Sequence, residues 1–244
     1  MEYRGYDSAG IALNQADNVF TLRSLGKVSK LEKLMRECEQ QAKSGIAHTR
    51  WATHGEPSEE NAHPHGSNNE IYIVHNGIIE NHSEIRARLR DGGYEISSET
   101  DSELIAHLIH FYKQKSGGML EALILATKEL KGAYSIAAID KNEKGKVFAA
   151  RQKSPLLIGK GLDENFVASD PLAIASITEG FYLLEDGDFA EITKNKIRIY
   201  DEQGQEIERE ETHIEATATA TTKGKYKHFM EKEIYEQPEA IGNT

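Results

Sequence analysis

The chain has 244 residues, 38% hydrophobic and 28% charged, enough for one sizeable domain whose core needs no covalent staples. A formal net charge of -11 argues against a nucleic-acid binder, which wants a basic face, and a single cysteine excludes a disulfide framework. No apolar run is long enough to cross a bilayer and no signal-peptide pattern opens the chain, so the expectation is a soluble, cytoplasmic protein that partners neither nucleic acid nor membrane.

Taken in order, Gly10 to Leu13 and Val19 to Leu22 read as a strand pair joined by the polar turn Gln15 to Asn18. Residues 29 to 41 read as a helix, with Ser29 and Glu32 at capping-box spacing and Leu31, Leu34, Met35 and Cys38 on one face. Cys38, on that apolar stripe, is expected to behave as a small buried hydrophobe rather than a nucleophile. Gly45 to Ala47 and Ile71 to Val74 look like buried strands, each running into a polar motif. A second helix starts near Thr100, with Glu103 completing a capping box and Leu104, Ile105, Leu108, Ile109 and Tyr112 as its stripe. A third carries Leu120, Leu123, Ile124, Thr127 and Leu130. Strands then prevail: Tyr134 to Ile139, Val147 to Ala150, Leu156 to Ile158, Phe166 to Ala168, Phe189 to Ile192 and Ile197 to Tyr200. Antiparallel-type strands with segregated helices predict an α+β layered fold. The domain is expected over 1–207. An extended linker follows over 208–225, where the acidic and Thr/Ala-rich composition buries little, and helical character returns over 226–244.

Three constellations could carry chemistry. His48-Thr49-Arg50-Trp51-Ala52-Thr53-His54-Gly55 follows a strand, and its arginine offers a planar fork for a carboxylate; the alternative is a polar surface loop with a structural arginine. His75-Asn76-Gly77-Ile78-Ile79-Glu80-Asn81 reads either as a hairpin turn or as an oxyanion hole, an Asn amide beside a Gly N–H. The helical pattern after it (Ile78, Ile79, His82, Ile85, Leu89) weighs against the hairpin. In Ser98-Glu99-Thr100-Asp101 the aspartate suits either the first turn of a helix or a substrate ammonium. Six histidines (His48, His54, His63, His65, His75, His82) lie close in sequence, but His63-x-His65 without supporting ligands is weak, so neither metal nor cofactor is expected.

Together these motifs, with the opening Glu2-Tyr3-Arg4-Gly5-Tyr6-Asp7-Ser8-Ala9-Gly10, the stretch Leu130-Lys131-Gly132-Ala133-Tyr134 and the tail Lys232-Glu233-Ile234-Tyr235-Glu236-Gln237-Pro238, stand in an order that resembles the glutaminase domain of the glucosamine-6-phosphate synthases. The resemblance runs over essentially the whole chain. It implies a class II glutamine amidotransferase, with a four-layer αββα N-terminal-nucleophile (Ntn) hydrolase sandwich of two antiparallel sheets. In that family an N-terminal cysteine attacks the glutamine side-chain amide with its own α-amine as base. The ammonia released passes to fructose 6-phosphate on an isomerase domain.

By this resemblance Arg50 would bind the glutamine α-carboxylate beside Thr53, and Asp101 the α-ammonium. His54 and Gly77 would line the pocket, Asn76 and Gly77 would form the oxyanion hole, and Trp51 would gate the ammonia channel. The partners implied are L-glutamine, the isomerase domain, and a second copy in a homodimer formed through the full-length enzyme. The family segment bearing the cysteine has no counterpart in these residues, nor has the isomerase domain. The sequence therefore predicts a glutaminase domain without its first strand, first helix and nucleophile, inactive alone. The alternative is a non-catalytic glutamine-binding or regulatory module derived from the same family.

Overall fold

The computed structural model describes residues 6–38, 40–52, 55–178 and 180–213, with Ile234, Tyr235 and Gln237 beyond them. The chain starts with a hairpin, β1 (Ser8–Asn14) against β2 (Val19–Leu25), and β3 (Ser44–Arg50) pairs antiparallel with the other edge of β1. Between them lies α1 (Val28–Arg36), packed on β1 and β2. This helix is shorter than the periodicity predicts, and its start is not a capping box: Lys27 is the N-cap and makes no side-chain cap. The Val28 N–H donates instead to Tyr6 Oη at 2.8 Å, so a tertiary contact replaces the local one. Cys38 falls in the turn after the helix and is half-buried, not part of an apolar stripe.

The central sheet has seven strands among the described residues, ordered β13-β12-β11-β7-β6-β5-β4. These are β4 (His65–Ser67), β5 (Ile71–Ile79), β6 (Gly132–Asp140), β7 (Lys146–Gln152), β11 (Phe189–Thr193), β12 (Ile197–Tyr200) and β13 (Glu206–Ile207). The helices α2 (His82–Asp91), α3 (Ser102–Lys113) and α4 (Met119–Thr127) lie on one of its faces. Leu130, predicted on the last helix, follows it. A further sheet orders β14 (Glu211–His213), β10 (Gly180–Leu183), β8 (Leu157–Lys160) and β9 (Asn165–Ala168).

Side chains of β5 and β6 alternate between two apolar layers. Ile71, Ile73, Ile79, Ile136 and Ala138 meet Leu104, Leu108 and Leu123 of the helices, whereas Tyr72, Val74, Ala137 and Ile139 meet Ala12 and Ile46 of the three-stranded sheet. Burial on both faces explains why these strands read as unbroken apolar runs. Farther along, Ala149, Ala190 and Ile192 pack on Leu156 and Ile158 of the four-stranded sheet. With α1 and a 3-10 turn at Pro171–Ala173 outside, the order is helix, sheet, sheet, helix, the α+β sandwich that the resemblance implied.

Four short strands escaped the sequence reading. β4, β10, β13 and β14 have at most four residues each, too few for a periodicity. β14 lies within the expected linker and pairs with β10, and its first residue is held by Lys160 Nζ and Tyr182 Oη, which both donate to Glu211 Oε2, at 2.9 and 3.1 Å. Residues 216–222 and most of 226–244 lie outside the described residues.

Candidate active site

β3 and β5 run in adjacent layers and bring two of the motifs together. His48, Thr49 and Arg50 belong to β3 itself rather than to the loop after it, and Trp51 opens that loop, 62% exposed. Asn76 and Gly77 lie inside β5, paired with Ser135 and Tyr134, so they form no hairpin turn. The helix that weighed against a turn is α2, which starts only at His82. His48 Nε2 stands 2.7 Å from Asn76 Oδ1.

Gly77 has φ +135°, and a Cβ there would lie 2.0 Å from the Ala133 carbonyl oxygen, so no other residue fits this backbone. Its exposed position at the edge of the layer leaves room for an approaching ligand. Thr53 and His54 lie outside the described residues.

Arg50 is buried, with Nη2 donating to the Gly55 carbonyl at 3.3 Å and Nη1 to that of Glu56 at 3.5 Å. That loop is fastened to the third motif. Glu99 Oε2 accepts from the Glu56 N–H at 3.2 Å and from Asn61 Nδ2 at 3.1 Å, and the Glu99 N–H donates to Asn61 Oδ1 at 2.9 Å. Arg86 holds the same segment through the carbonyls of Ser98 and Thr100.

Asp101, the N-cap position of α3, is buried and makes no cap. Its Oδ2 accepts the Ile79 N–H at 2.7 Å, tying the third motif to the strand of Asn76, and its Oδ1 has one long contact, Ser102 Oγ at 3.4 Å. The predicted box at Thr100 forms in half. Thr100 Oγ1 accepts from the Glu103 N–H at 3.4 Å, but the Glu103 carboxylate takes the N–H groups of Ser97 and Ser98, at 2.9 and 2.6 Å. Those bonds and His107 hold Glu103 well below the usual carboxylate range despite its burial.

Behind Asn76 stands a column of imidazoles. His48 stacks on His63 with centroids 4.2 Å apart, His63 meets the edge of His65 at 4.7 Å, and His65 Nε2 reaches Thr100 Oγ1 at 3.1 Å. Burial drives the His48 ring down to about 4 and His65 to about 3, and lowers His63 and His75 as well. His63, His65 and His75 are neutral core histidines, and His48 is a neutral, half-buried ring at the end of their column. Their clustering was visible in the sequence, but not that they pack as rings rather than converge as ligands. Asp7 and Glu99 stand within the sequence motifs without a role, and Asn61 in none of them, because their partners are distant in the chain.

Residues 48–176 match the glutamine amidotransferase domain family. Over its whole length the chain is 51% identical to the glutamine–fructose-6-phosphate aminotransferase (isomerizing) of Pectobacterium atrosepticum and 49% identical to that of Vibrio parahaemolyticus, and it spans 40% of each. Its fold resembles that of the glutamine phosphoribosylpyrophosphate amidotransferase of B. subtilis, with a TM-score of 0.69 at 23% identity over 82% of this chain and 44% of that one. A predicted glutamine amidotransferase of Pseudomonas aeruginosa is similar over 78% of this chain and 86% of its own, with a TM-score of 0.52 at 17% identity. With a family match that begins at the strand of His48 and Arg50 and runs for more than half its length, the chain belongs to the glutamine amidotransferase domain family, as a homologue of the glutamine-hydrolysing domain of glucosamine-6-phosphate synthase.

Proposed function

We propose that this chain holds L-glutamine for an enzyme that moves the side-chain nitrogen of glutamine onto fructose 6-phosphate. Arg50 takes the α-carboxylate, Asp101 Oδ1 the α-ammonium, and Asn76 Nδ2 with the Gly77 N–H stabilises the oxyanion of the attacked amide. Thr53 and His54 complete the pocket, and Trp51 covers its mouth toward the sugar-isomerase domain, through which the full-length enzyme pairs as a homodimer. The observation that carries this reading is the tie between the loop that holds Arg50 and the segment that ends at Asp101, made by Glu99 with Glu56 and Asn61, while Asp101 itself is bonded to the strand of Asn76 and Gly77. Two opposite charges and two amide donors are thereby gathered on one framework.

Amide hydrolysis also needs a nucleophile. The only thiol among the 244 residues is Cys38. The segment after it is bonded through Gln40 to Gln15, at the end of β1 away from Ser8, whereas Arg50 pairs with Ser8 itself. A seven-residue strand spans roughly 20 Å, so Cys38 does not serve this site. The 244 residues alone are expected to bind glutamine without hydrolysing it.

Calorimetric titration of L-glutamine into the chain tests the site. Binding should be abolished by Arg50→Ala and by Asp101→Asn, each with the fold intact by circular dichroism. Glutamine that binds both variants as tightly as the parent would refute the clamp.

A further inference from the structure

Resting on the reading of Asn76 as an oxyanion donor, we infer that His48 is a positioning residue. Its Nε2–H grips the Asn76 carbonyl oxygen, which turns the Asn76 Nδ2 hydrogens toward the ligand. A carboxamide has two ends of nearly equal shape and opposite polarity. An oxyanion is stabilised only by the N–H end; the oxygen end would repel it. Something must therefore fix which end faces the pocket, and the 2.7 Å contact to His48 Nε2 is placed to do so.

The ring is in the protonation state the task requires. Half-buried, with its Nδ1 shut off from solvent and the ring held neutral by desolvation, it carries one N–H and one bare nitrogen. If the amide were reversed, Nδ2 would donate to a bare Nε2 and the proton would sit on Nδ1. His48 Nδ1 is buried with no hydrogen-bond partner, so that arrangement would bury an orphaned donor. With the proton on Nε2, Nδ1 keeps only a lone pair, and orphaned acceptors are the more tolerable kind, as on the backbone.

The ring cannot easily turn away. It is stacked on His63 at 4.2 Å with planes 28° apart, and His63 is itself fixed by the His75 N–H donating to its Nδ1 at 3.3 Å. The histidine column thus gives the oxyanion donor a rigid backing without carrying charge into the site.

Two measurements on the 244-residue chain test this. Long-range 15N correlation spectra should show His48 protonated at Nε2 and bare at Nδ1 at pH 7. L-Glutamate, whose γ-carboxylate mimics the oxyanion, and L-norvaline, which has the same ammonium and α-carboxylate without the γ-oxygens, should then be titrated in parallel. The parent should prefer glutamate by about tenfold or more, the range expected for hydrogen bonds to a charged group. His48→Phe keeps a stacking ring but no donor; it should lose that preference and leave norvaline binding unchanged. His48→Gln restores an N–H and should recover the preference, which a merely structural role would not predict. An Nδ1–H ring, or full glutamate preference in His48→Phe, overturns the assignment. If neither amino acid binds the parent, the clamp reading fails, and the tautomer alone decides the orientation of the Asn76 amide. It does so equally if His48→Phe does not fold.

Discussion

Asp7 and Arg50 meet at the end of the β1–β3 pair, Asp7 Oδ1 lying 3.8 Å from Arg50 Nη1. The other carboxylate oxygen of Asp7 accepts the Ala52 N–H, and the Asp7 N–H donates to the Arg50 carbonyl at 2.8 Å. One residue therefore fixes both the backbone where β3 passes into the loop of Trp51 and the charge environment of a buried guanidinium.

Replacing Asp7 separates these two jobs. Asp7→Asn keeps an acceptor for Ala52 but leaves Arg50 without the carboxylate, whereas Asp7→Ala loses both. Urea unfolding should show a loss of about 1–3 kcal/mol for the alanine variant, with the asparagine variant in between. Equal losses would mean that only one of the two contacts matters.

Gly77→Ala should be among the most damaging single changes in the chain. The new Cβ would overlap the Ala133 carbonyl, and φ +135° is strained for any L side chain. Strain and overlap together predict a loss of about 3–5 kcal/mol, read from denaturant midpoints. A variant within about 1 kcal/mol of the parent would show that the β5–β6 pair can shift to accommodate it.

Acid should weaken the fold before any carboxylate is protonated. His48, His63, His65 and His75 are neutral in the folded chain because burial lowers them, while in the unfolded chain they take up a proton near 6.5. The unfolded state then binds more protons, so stability rises with pH and is lost as pH falls below 6.5 toward 4. Each such histidine contributes a slope of up to about 1.4 kcal/mol per pH unit in that window. Glu103 adds to the loss only below its unfolded value of about 4.5, since its contribution is present above that point. Unfolding free energies at pH 7.5, 6 and 5 measure the slope, and His63→Phe should reduce it. A stability unchanged from pH 7.5 to 5 would mean that the column is not closed to protons.

Glu103→Gln should loosen the site from a distance. The carboxylate accepts from the N–H groups of Ser97 and Ser98 and from Ser97 Oγ at 2.7 Å, and so anchors the segment that ends at Asp101. An amide in its place turns part of that acceptor set into donors facing donors, at a cost of about 2–4 kcal/mol. Glutamine affinity should fall with it, because the segment that Glu103 anchors is the one that carries Asp101. Unchanged amide exchange at Ser97 and Ser98 would sink this account.

Cys38→Ala should change nothing in a glutamine assay. The purified chain should release no ammonia above buffer, with or without the thiol. Turnover that disappears with Cys38 would place a nucleophile where the strand geometry does not.

The sequence by itself determined the secondary elements long enough to show a period, such as α3 with its Leu104 and Leu108 stripe and β5 with its continuous apolar run. It also marked His48 to Gly55, His75 to Asn81 and Ser98 to Asp101 as the segments with chemistry, because their polar residues directly follow apolar runs or precede a helical pattern. What it could not supply were the contacts between segments far apart in the chain. Whether Asn76-Gly77 turned or ran on was settled by pairing with Ser135 and Tyr134. The start of α1 was set by Tyr6 rather than by Ser29. The links from Glu99 to Asn61 and Glu56, from Asp7 to Arg50, and from His48 to Asn76 join residues whose local sequence carries no trace of the partner. Local propensity is a property of a few neighbouring residues, whereas the orientation of a side-chain amide or a guanidinium is decided by whichever group the packed layers place within 3 to 4 Å of it.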